Sequence, residues 1–294
     1  MAALVWESRP ELPGGILVAA FTGWNDAGDA ASDAVGWLRT HSGAEPFASI
    51  DPDEHYDFQA HRPEVRITDG VTREISWPTL EFAAASASGS RPGLVLLSGP
   101  EPNLRWRGFC DTVIEVARET GCSTVVTFGA LLADTPHTAP IRVSGSTTDA
   151  AAMARLGLEP SRYEGPTGIV GVLHDTCRNA GFRSASFWAP VPHYVATPPN
   201  PPATRALLER FAAFTEHPLD LRELGVAADA WRARVDGAVA GDEEMGEYVR
   251  GLEAQLEESL GTIADAPASE EDIPSGDDLA QAFEDYLREQ GDEP

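Results

Sequence analysis

The sequence contains no lysine. Its 294 residues carry 21 basic side chains other than histidine, and every one of them is an arginine. Phosphate-binding-loop NTPases, enzymes that form a Schiff base, and protein kinases all need an amine at a defined position. The absence of lysine therefore excludes these three classes. Arginine is also able to hold a phosphate, so nucleotide chemistry in general is disfavoured rather than excluded.

Cysteines and long apolar runs are also scarce. The three cysteines, Cys110, Cys122 and Cys177, are widely separated and lack the Cys-x-x-Cys spacing of a metal site, so we expect reduced, buried thiols. No window reaches the roughly 18 consecutive apolar residues of a membrane-spanning helix, and the first residues lack the pattern of a signal peptide. We therefore expect a cytoplasmic protein without a membrane partner.

Negative charge dominates the chain. The formal net charge is −26 at pH 7, and residues 242–294 carry 18 acidic side chains and two arginines, a local net charge of −16. Such a field repels the phosphates of nucleic acids and the headgroups of anionic lipids. The charge therefore argues against nucleic acid as a partner and favours contact with another protein.

Four apolar runs of strand length alternate with helical patterns. They are GILVAAF (15–21), GLVLLS (93–98), STVVTFGA (123–130) and SASFWAPV (184–191). Runs without strict alternation are typical of strands covered on both faces, and the order strand, helix, strand is typical of α/β proteins. Two alternating runs around Asp69-Gly70 predict a β-hairpin that makes the sheet mixed. We therefore predict a mixed, mostly parallel central sheet flanked by helices.

The last quarter of the chain is helical and acidic. The predicted domains are an α/β core at 1–222, a C-terminal helical hairpin at 223–262, and an acidic linker with a short amphipathic helix at 263–294. Phe283 and Tyr286 belong to the apolar side of that short helix. A lone amphipathic helix on a linker usually docks, either on its own core or on a partner.

The stretch FTGWNDAGDAASDAVGWL (21–38) has the glycine-containing turn of many nucleotide sites. Asp26 and Asp29, however, crowd the start of a helix that we expect to begin near Ala27. Carboxylates are stabilised there by the helix dipole, so we predict that Asn25 or Asp26 caps the helix, that Asp29 completes an approximate capping box, and that the two carboxylates occupy the place of a phosphate. A magnesium site made of Asp26, Asp29 and Asp33 is the weaker alternative, with the last two on an exposed face. We predict no cofactor and no metal.

Polar side chains follow the other predicted strands. Glu101 and Arg105 follow the second, His137 the third and His193 the fourth. In open α/β sheets, ligands bind where the parallel strands end. If these four side chains converge with Asn25, they would form an acid–base or nucleoside site; if each has a separate structural role, the same edge is a surface for protein contacts. The spacing in the sequence leaves both possibilities open.

Six sequence blocks follow one another in the order seen in a known family. They are FTGWNDAGDAAS, RPEVRITDG with REISWP, LLSGPEPNLRW, FGALLADTPHTAP, YEGPTGIVGVLH and FWAPVPHYVATPPNPPAT. From about Val18 to Phe214 the chain resembles the proteasome assembly chaperone 2 family in its actinobacterial form. The resemblance implies an α/β core similar to nucleoside phosphorylases, no assigned catalysis in most relatives, and binding to proteasome subunits.

The resemblance leads to a functional expectation. We expect a non-enzymatic, homo-oligomeric scaffold or assembly factor, with a trimer favoured over a dimer because phosphorylase-like folds often form trimers. The expected partners are further copies of this chain and proteasome subunits or another assembly. The predicted protein-binding residues are Trp24, Asn25, Trp106, Phe283 and Tyr286. The alternative is an enzyme that binds a nucleoside-like polar ligand in a cleft among the strand-end side chains.

Overall fold

The computed structural model describes residues 4–69, 72–89, 91–158 and 164–265 of the chain. The chain divides into two compact units between Leu252 and Glu253. All the contacts described below belong to the first unit. No helix in the described ranges is long and apolar enough to cross a membrane. The three predicted domains remain a prediction.

Ten strands occur in the described ranges. They are β1 (Leu4–Trp6), β2 (Gly15–Thr22), β3 (Glu45–Ile50), β4 (Glu64–Thr68), β5 (Thr72–Ser76), β6 (Leu80–Ala85), β7 (Leu94–Pro100), β8 (Cys122–Ala133), β9 (Ser144–Thr147) and β10 (Arg183–Pro192). Eight of them form one sheet in the order β1-β3-β6-β7-β2-β8-β10-β9. The neighbours β7, β2, β8 and β10 are parallel, and the strands on either side of them pair antiparallel. The predicted mixed sheet is confirmed.

The four parallel strands are the four apolar runs of the sequence, and β2 shows why they lack alternation. Leu17 and Phe21 enter the core on one face of the sheet, whereas Ile16 and Val18 enter the core on the other. A strand that is covered on both faces needs an apolar side chain at every position. Each large side chain buried in this way stabilises the fold by about 1.5–3 kcal/mol.

Seven α-helices occur in the described ranges. They are α1 (Ala30–Ser42), α2 (Trp106–Glu119), α3 (Ala150–Leu156), α4 (Ile169–Asn179), α5 (Pro201–Thr215), α6 (Arg222–Ala240) and α7 (Glu243–Asp265). α1, α3 and α5 cover one face of the sheet, and α2 and α4 cover the other. α6 packs against α5. The C-terminal helical appendage predicted from the sequence corresponds to α6 and α7.

The predicted hairpin exists, but it does not belong to the central sheet. β4 and β5 pair with each other in a separate two-stranded sheet, and Asp69 at the turn has a φ of 54°. The inference that this hairpin makes the central sheet mixed was wrong. The antiparallel pairs of that sheet come from β1, β3, β6 and β9 instead.

Candidate functional site

The turn after β2 is fixed by one buried side chain, Asn25. Only 1% of its surface is exposed. Its Nδ2 donates a hydrogen bond of 2.8 Å to Glu101 Oε1, and the backbone carbonyl oxygen of Asn25 accepts one of 2.7 Å from the backbone N–H of Ala130. Glu101 Oε1 also accepts a bond of 3.1 Å from the backbone N–H of Ile169. One carboxylate therefore links the ends of β2 and β7 to the first residue of α4.

Gly168, the residue before α4, lies directly against Asn25. A Cβ atom added at Gly168 would lie 2.3 Å from Asn25 Nδ2, far inside van der Waals contact. Glycine is therefore required here by close approach. The carboxylate of Glu101 also lies at the positive end of the α4 dipole, where a negative charge is stabilised. Glu101 thus has a structural role at the position that the sequence marked as a candidate acid.

Asp26 caps α1, although it lies in the chain before the 3-10 turn that precedes the helix. Its Oδ1 accepts backbone hydrogen bonds from Ala31 at 2.8 Å and from Ser32 at 3.1 Å. The helix begins at Ala30 rather than near Ala27, because a short 3-10 turn precedes it. Burial raises the pKa of Asp26 above its usual value, although the hydrogen bonds from the residue 32 side chain and backbone oppose that effect.

The predicted capping role of Asp29 is wrong. Asp29 has a left-handed φ of 53°, and its side chain makes no capping hydrogen bond. Asp29 and Asp33 are exposed, as expected for a solvated helix face, whereas Asp26 is buried. Within the described ranges, no three His, Cys, Asp or Glu side chains are grouped so that they could hold a metal ion. The geometry therefore lends no support to a magnesium site at these aspartates.

Arg105 is directed away from the Asn25–Glu101 pair. Its Nη1 donates a hydrogen bond of 2.7 Å to Glu54 Oε2, and its side chain is largely exposed. Its backbone is left-handed, with a φ of 55°, at the start of α2. Arg105 and Glu101 are close in sequence but bind different partners, so these two side chains do not converge.

His137 is buried and bonded on both sides of its ring. Its backbone N–H donates to the Tyr194 hydroxyl at 2.7 Å, and its Nδ1 lies at the same distance from that hydroxyl. Its Nε2 lies 3.0 Å from Asp236 Oδ1 on α6. One tautomer satisfies all three contacts, with Tyr194 donating to Nδ1 and Nε2–H donating to Asp236. The bond between His137 and Asp236 thereby connects the segment that follows β8 to α6.

His193 lies on the other side of Tyr194. Its Nδ1 is 3.2 Å from Asp134 Oδ1, and its Nε2 is 3.3 Å from the Tyr248 hydroxyl. The rings of both histidines meet Tyr194 edge to face with centroids 5.8 Å apart. The structure thus brings His137 and His193 to one place. Across the described residues, no hydrogen bond or ion pair joins either histidine to Asn25, Glu101 or Arg105.

A cleft lies beside His137. Its volume is about 610 Å³, and His137 and Asp236 line it together with residues of the α6–α7 connection. Among the described residues that line it, Asn25, Glu101, Arg105 and His193 are absent. A cleft therefore exists near one predicted residue, but the predicted constellation does not surround it.

Large apolar side chains are exposed where the parallel strands end. We call Trp24, Leu104, Leu131 and Leu132 the strand-exit surface. Trp24 is 68% exposed, and the three leucines are each between 43% and 53% exposed. Leu131 and Leu132 directly follow Ala130, which pairs with Asp26 in a parallel bridge. The four side chains lie at or beyond the ends of β2, β7 and β8, with Leu131 and Leu132 on opposite faces of the sheet, and we treat them as candidates for protein contacts.

The other predicted protein-binding residues differ from Trp24. Trp106 is partly buried against the core, and its indole N–H donates to the carbonyl oxygen of Pro102. Asn25 is buried, so it supports the turn rather than offering a side chain to a partner. Phe283 and Tyr286 lie outside the described residues. Sequence reasoning missed Glu54, Asp236 and the leucines of the strand-exit surface, because no local pattern marks them.

The chain is similar in sequence to one family of proteins. The sequence pattern of the PAC2 family matches residues 20–239. A PAC2 family protein from Streptomyces avermitilis is 48% identical, with a TM-score of 0.73, over 80% of this chain and 99% of that protein. Comparison with curated proteins gives no match.

Two further solved structures extend the comparison. A proteasome-assembly chaperone homologue from Mycobacterium tuberculosis is 48% identical, with a TM-score of 0.74, over 80% of this chain and 99% of that protein. An archaeal proteasome activator from Pyrococcus furiosus is 16% identical, with a TM-score of 0.64, over 81% of this chain and 98% of that protein. The similarity to the archaeal protein is one of fold alone.

Proposed function

This chain belongs to the PAC2 family, and from that membership we propose that it is a non-enzymatic, protein-binding assembly factor. The observation that carries the proposal is the exposure of Trp24 on a turn held by the buried Asn25. Tryptophan is enriched among the residues that dominate binding energy at protein interfaces. A side chain presented by a rigid backbone also loses little conformational entropy when it binds.

The contacts of the candidate catalytic residues support binding rather than catalysis. Glu101 bonds Asn25 and the start of α4, and Arg105 bonds Glu54. His137 is bonded by Tyr194 and Asp236, and its ring is buried. A general acid or base must reach a substrate atom. Side chains that already hold the fold together are poorly placed for that task.

The proposed partners are proteasome subunits, or another protein assembly, and further copies of this chain. The Mycobacterium tuberculosis relative is a proteasome-assembly chaperone homologue, and this chain shares nearly half of its sequence. For the self-assembly we propose a trimer in preference to a dimer, by analogy with phosphorylase-like folds. Sedimentation equilibrium of the purified full chain measures that stoichiometry directly.

Replacing Trp24 tests the proposed binding surface. Trp24→Ala should weaken capture of proteasome subunits from the native cell by about 30-fold, because loss of a dominant interface residue costs about 2 kcal/mol or more. Val226→Ala on α6 removes another exposed apolar side chain and serves as the control. The melting temperature should stay unchanged in both variants, since both side chains are exposed. Unchanged capture by Trp24→Ala would remove the basis of the proposal.

The acidic C-terminal segment supplies a second arm of the same experiment. We propose that the segment around Phe283 and Tyr286, for which the sequence pattern predicts an amphipathic helix, docks on the partner, because such a helix on an acidic linker would not bury its apolar side alone. Deletion of residues 264–294 should then weaken capture and leave the α/β unit folded. Equal capture of the partner by the shortened and the full chain would contradict docking through residues 264–294.

A further inference from the structure

The β4–β5 hairpin has a face whose apolar side chains are about half exposed. Val65 pairs with Ile75 across the two strands, and Ile67 pairs with Arg73. Because directly paired residues lie on the same face, Val65, Ile67 and Ile75 share one face with Arg73, and Trp77 follows directly after β5. The four apolar side chains among them, Val65, Ile67, Ile75 and Trp77, are 51%, 63%, 57% and 48% exposed, respectively. We call these four residues the hairpin face; Arg66 and Glu74 pair on the opposite side.

The base of the hairpin is anchored. The rings of Phe58 and Trp77 meet edge to face with centroids 4.9 Å apart. Tyr56 donates a hydrogen bond of 2.6 Å to the carbonyl oxygen of Pro100 at the end of β7. The segment that leads into the hairpin is therefore attached to the central sheet, and the hairpin is presented at a defined position.

An uncovered two-stranded sheet of this kind is physically unfavourable. Two strands alone are marginally stable in water, and among the strands that the structure describes, β4 and β5 each have one neighbour. Single exposed apolar side chains are common, but three on one face of a two-stranded sheet, with Trp77 next to them in the chain, are a group of the type found at interfaces. The composition of the hairpin is therefore explained if another protein surface covers it.

We propose that the hairpin face is covered by a second copy of this chain. This inference rests on the proposed self-assembly and names the surface that carries it. The chain has a net charge of −26, so two copies repel each other across most of their surfaces. Residues 62–77, by contrast, contain three arginines and three acidic residues, a net charge of zero. Two copies that meet here bring together segments without net charge, so their repulsion is weaker here than between acidic surfaces.

The charge distribution also argues against a different protein on the hairpin face. A separate partner drawn to this chain by charge would be basic, and it would be steered to the acidic surfaces rather than to a neutral apolar patch. Salt distinguishes the two cases. Higher ionic strength screens the repulsion between copies, so self-association through the hairpin face should strengthen, whereas binding of a basic partner should weaken.

A charge placed in the hairpin face tests the inference. In the full chain, Ile67→Glu should lower the mass measured by light scattering to that of a monomer, with at least a tenfold higher dissociation constant than the wild type. Val226→Glu adds the same charge to an exposed apolar position on α6 and should retain the wild-type mass. Ile67→Thr removes apolar contact but keeps a β-branched residue in the strand. It should weaken association in the same direction, which controls for local unfolding of the hairpin.

Two outcomes would overturn the inference. In the first, Ile67→Glu and Ile67→Thr retain the wild-type mass; if these variants also lose capture of a proteasome subunit, the hairpin face belongs to that partner instead. In the second, the wild type is monomeric at every protein and salt concentration. Capture that depends on Trp24 is measured separately, so failure of the hairpin inference leaves the proposed binding function testable.

Discussion

Strand β2 of the central sheet and strand β4 of the hairpin contain the same kinds of side chain in opposite environments. Leu17 and Val18 in β2 have no exposed surface, whereas Val65 and Ile67 in β4 are more than half exposed. The difference comes from the neighbours of each strand. β2 lies between β7 and β8 with helices on both faces, and β4 has a single neighbour. The environment of a side chain, rather than its residue type, therefore decides how much it contributes to the stability of the fold.

The largest expected effect is a difference in the free energy of unfolding between a substitution in the central sheet and one in the hairpin. Phe21→Ala should lower the free energy of unfolding by about 3–5 kcal/mol, because a buried aromatic side chain leaves a cavity. Phe21 is fully buried and meets the ring of Phe109 with centroids 5.6 Å apart. Ile67→Ala should change the free energy by less than about 0.5 kcal/mol in the monomer. Urea unfolding at a concentration that keeps the protein monomeric measures both.

The comparison between the two sheets breaks down if these values are similar. A large loss on Ile67→Ala would mean that the hairpin stabilises the monomer, which its exposure contradicts. A small loss on Phe21→Ala would mean that the core around β2 collapses to fill the space.

A second prediction compares two glycines in the same way. Gly168→Ala places a Cβ 2.3 Å from Asn25 Nδ2 and must displace the bond to Glu101. We expect a loss of about 1–3 kcal/mol in the free energy of unfolding. Gly36→Ala in α1 meets no atom within 4 Å and should stabilise the protein by about 0.5–1 kcal/mol. Thermal unfolding of the two variants should therefore shift in opposite directions, and equal shifts would contradict the packing of Gly168.

The smallest expected effects concern two capping aspartates. Burial raises the pKa of Asp26, whereas the backbone N–H of Ala152 and the guanidinium of Arg183 lower the pKa of Asp149. A raised pKa means that the folded state holds the proton more tightly, so the contribution of Asp26 to stability falls as pH rises from its usual value of 3.8 through the raised value. The contribution of Asp149 is present above its usual value and is lost as pH falls through the lowered value.

Urea unfolding between about pH 3 and pH 7 tests this opposition. In the wild type, the raised pKa of Asp26 makes the free energy of unfolding fall as pH rises. Asp26→Asn keeps a good capping residue but does not titrate, so this fall should be absent in the variant. The lowered pKa of Asp149 makes the free energy of unfolding of the wild type rise with pH. Asp149→Asn should abolish this rise. Two variants with the same pH dependence would show that the two aspartates have similar environments.

Much of the fold was predictable because its signals are local. The four apolar runs predicted the parallel strands, and Asp69-Gly70 predicted the hairpin. The sheet to which the hairpin belongs was not predictable, because a turn specifies only the pairing of its own two strands. The capping role of Asp26 was predicted, and that of Asp29 was wrong because the chain takes a left-handed conformation there.

The candidate site was less predictable. The sequence placed Asn25, Glu101, Arg105, His137 and His193 at strand ends, and the structure confirms those positions along the chain. Which of them meet depends on the order of the strands and on the direction of each side chain. Arg105 donates its hydrogen bond to Glu54 rather than to Glu101. The Nε2 of His137 is bonded to Asp236. Neither contact has a signal in the local pattern.

The sequence by itself determined the exclusion of lysine-dependent chemistry, the strong negative charge, the family and most of the helices and strands. These properties depend on composition and on periodicities within a few residues. Only the tertiary structure decided that Asn25 bonds Glu101, 76 positions away, and that His137 bonds Asp236, 99 positions away. It also decided that the hairpin face remains exposed, because burial requires a neighbouring surface, and in the described part of the chain no further strand lies beside β4 and β5.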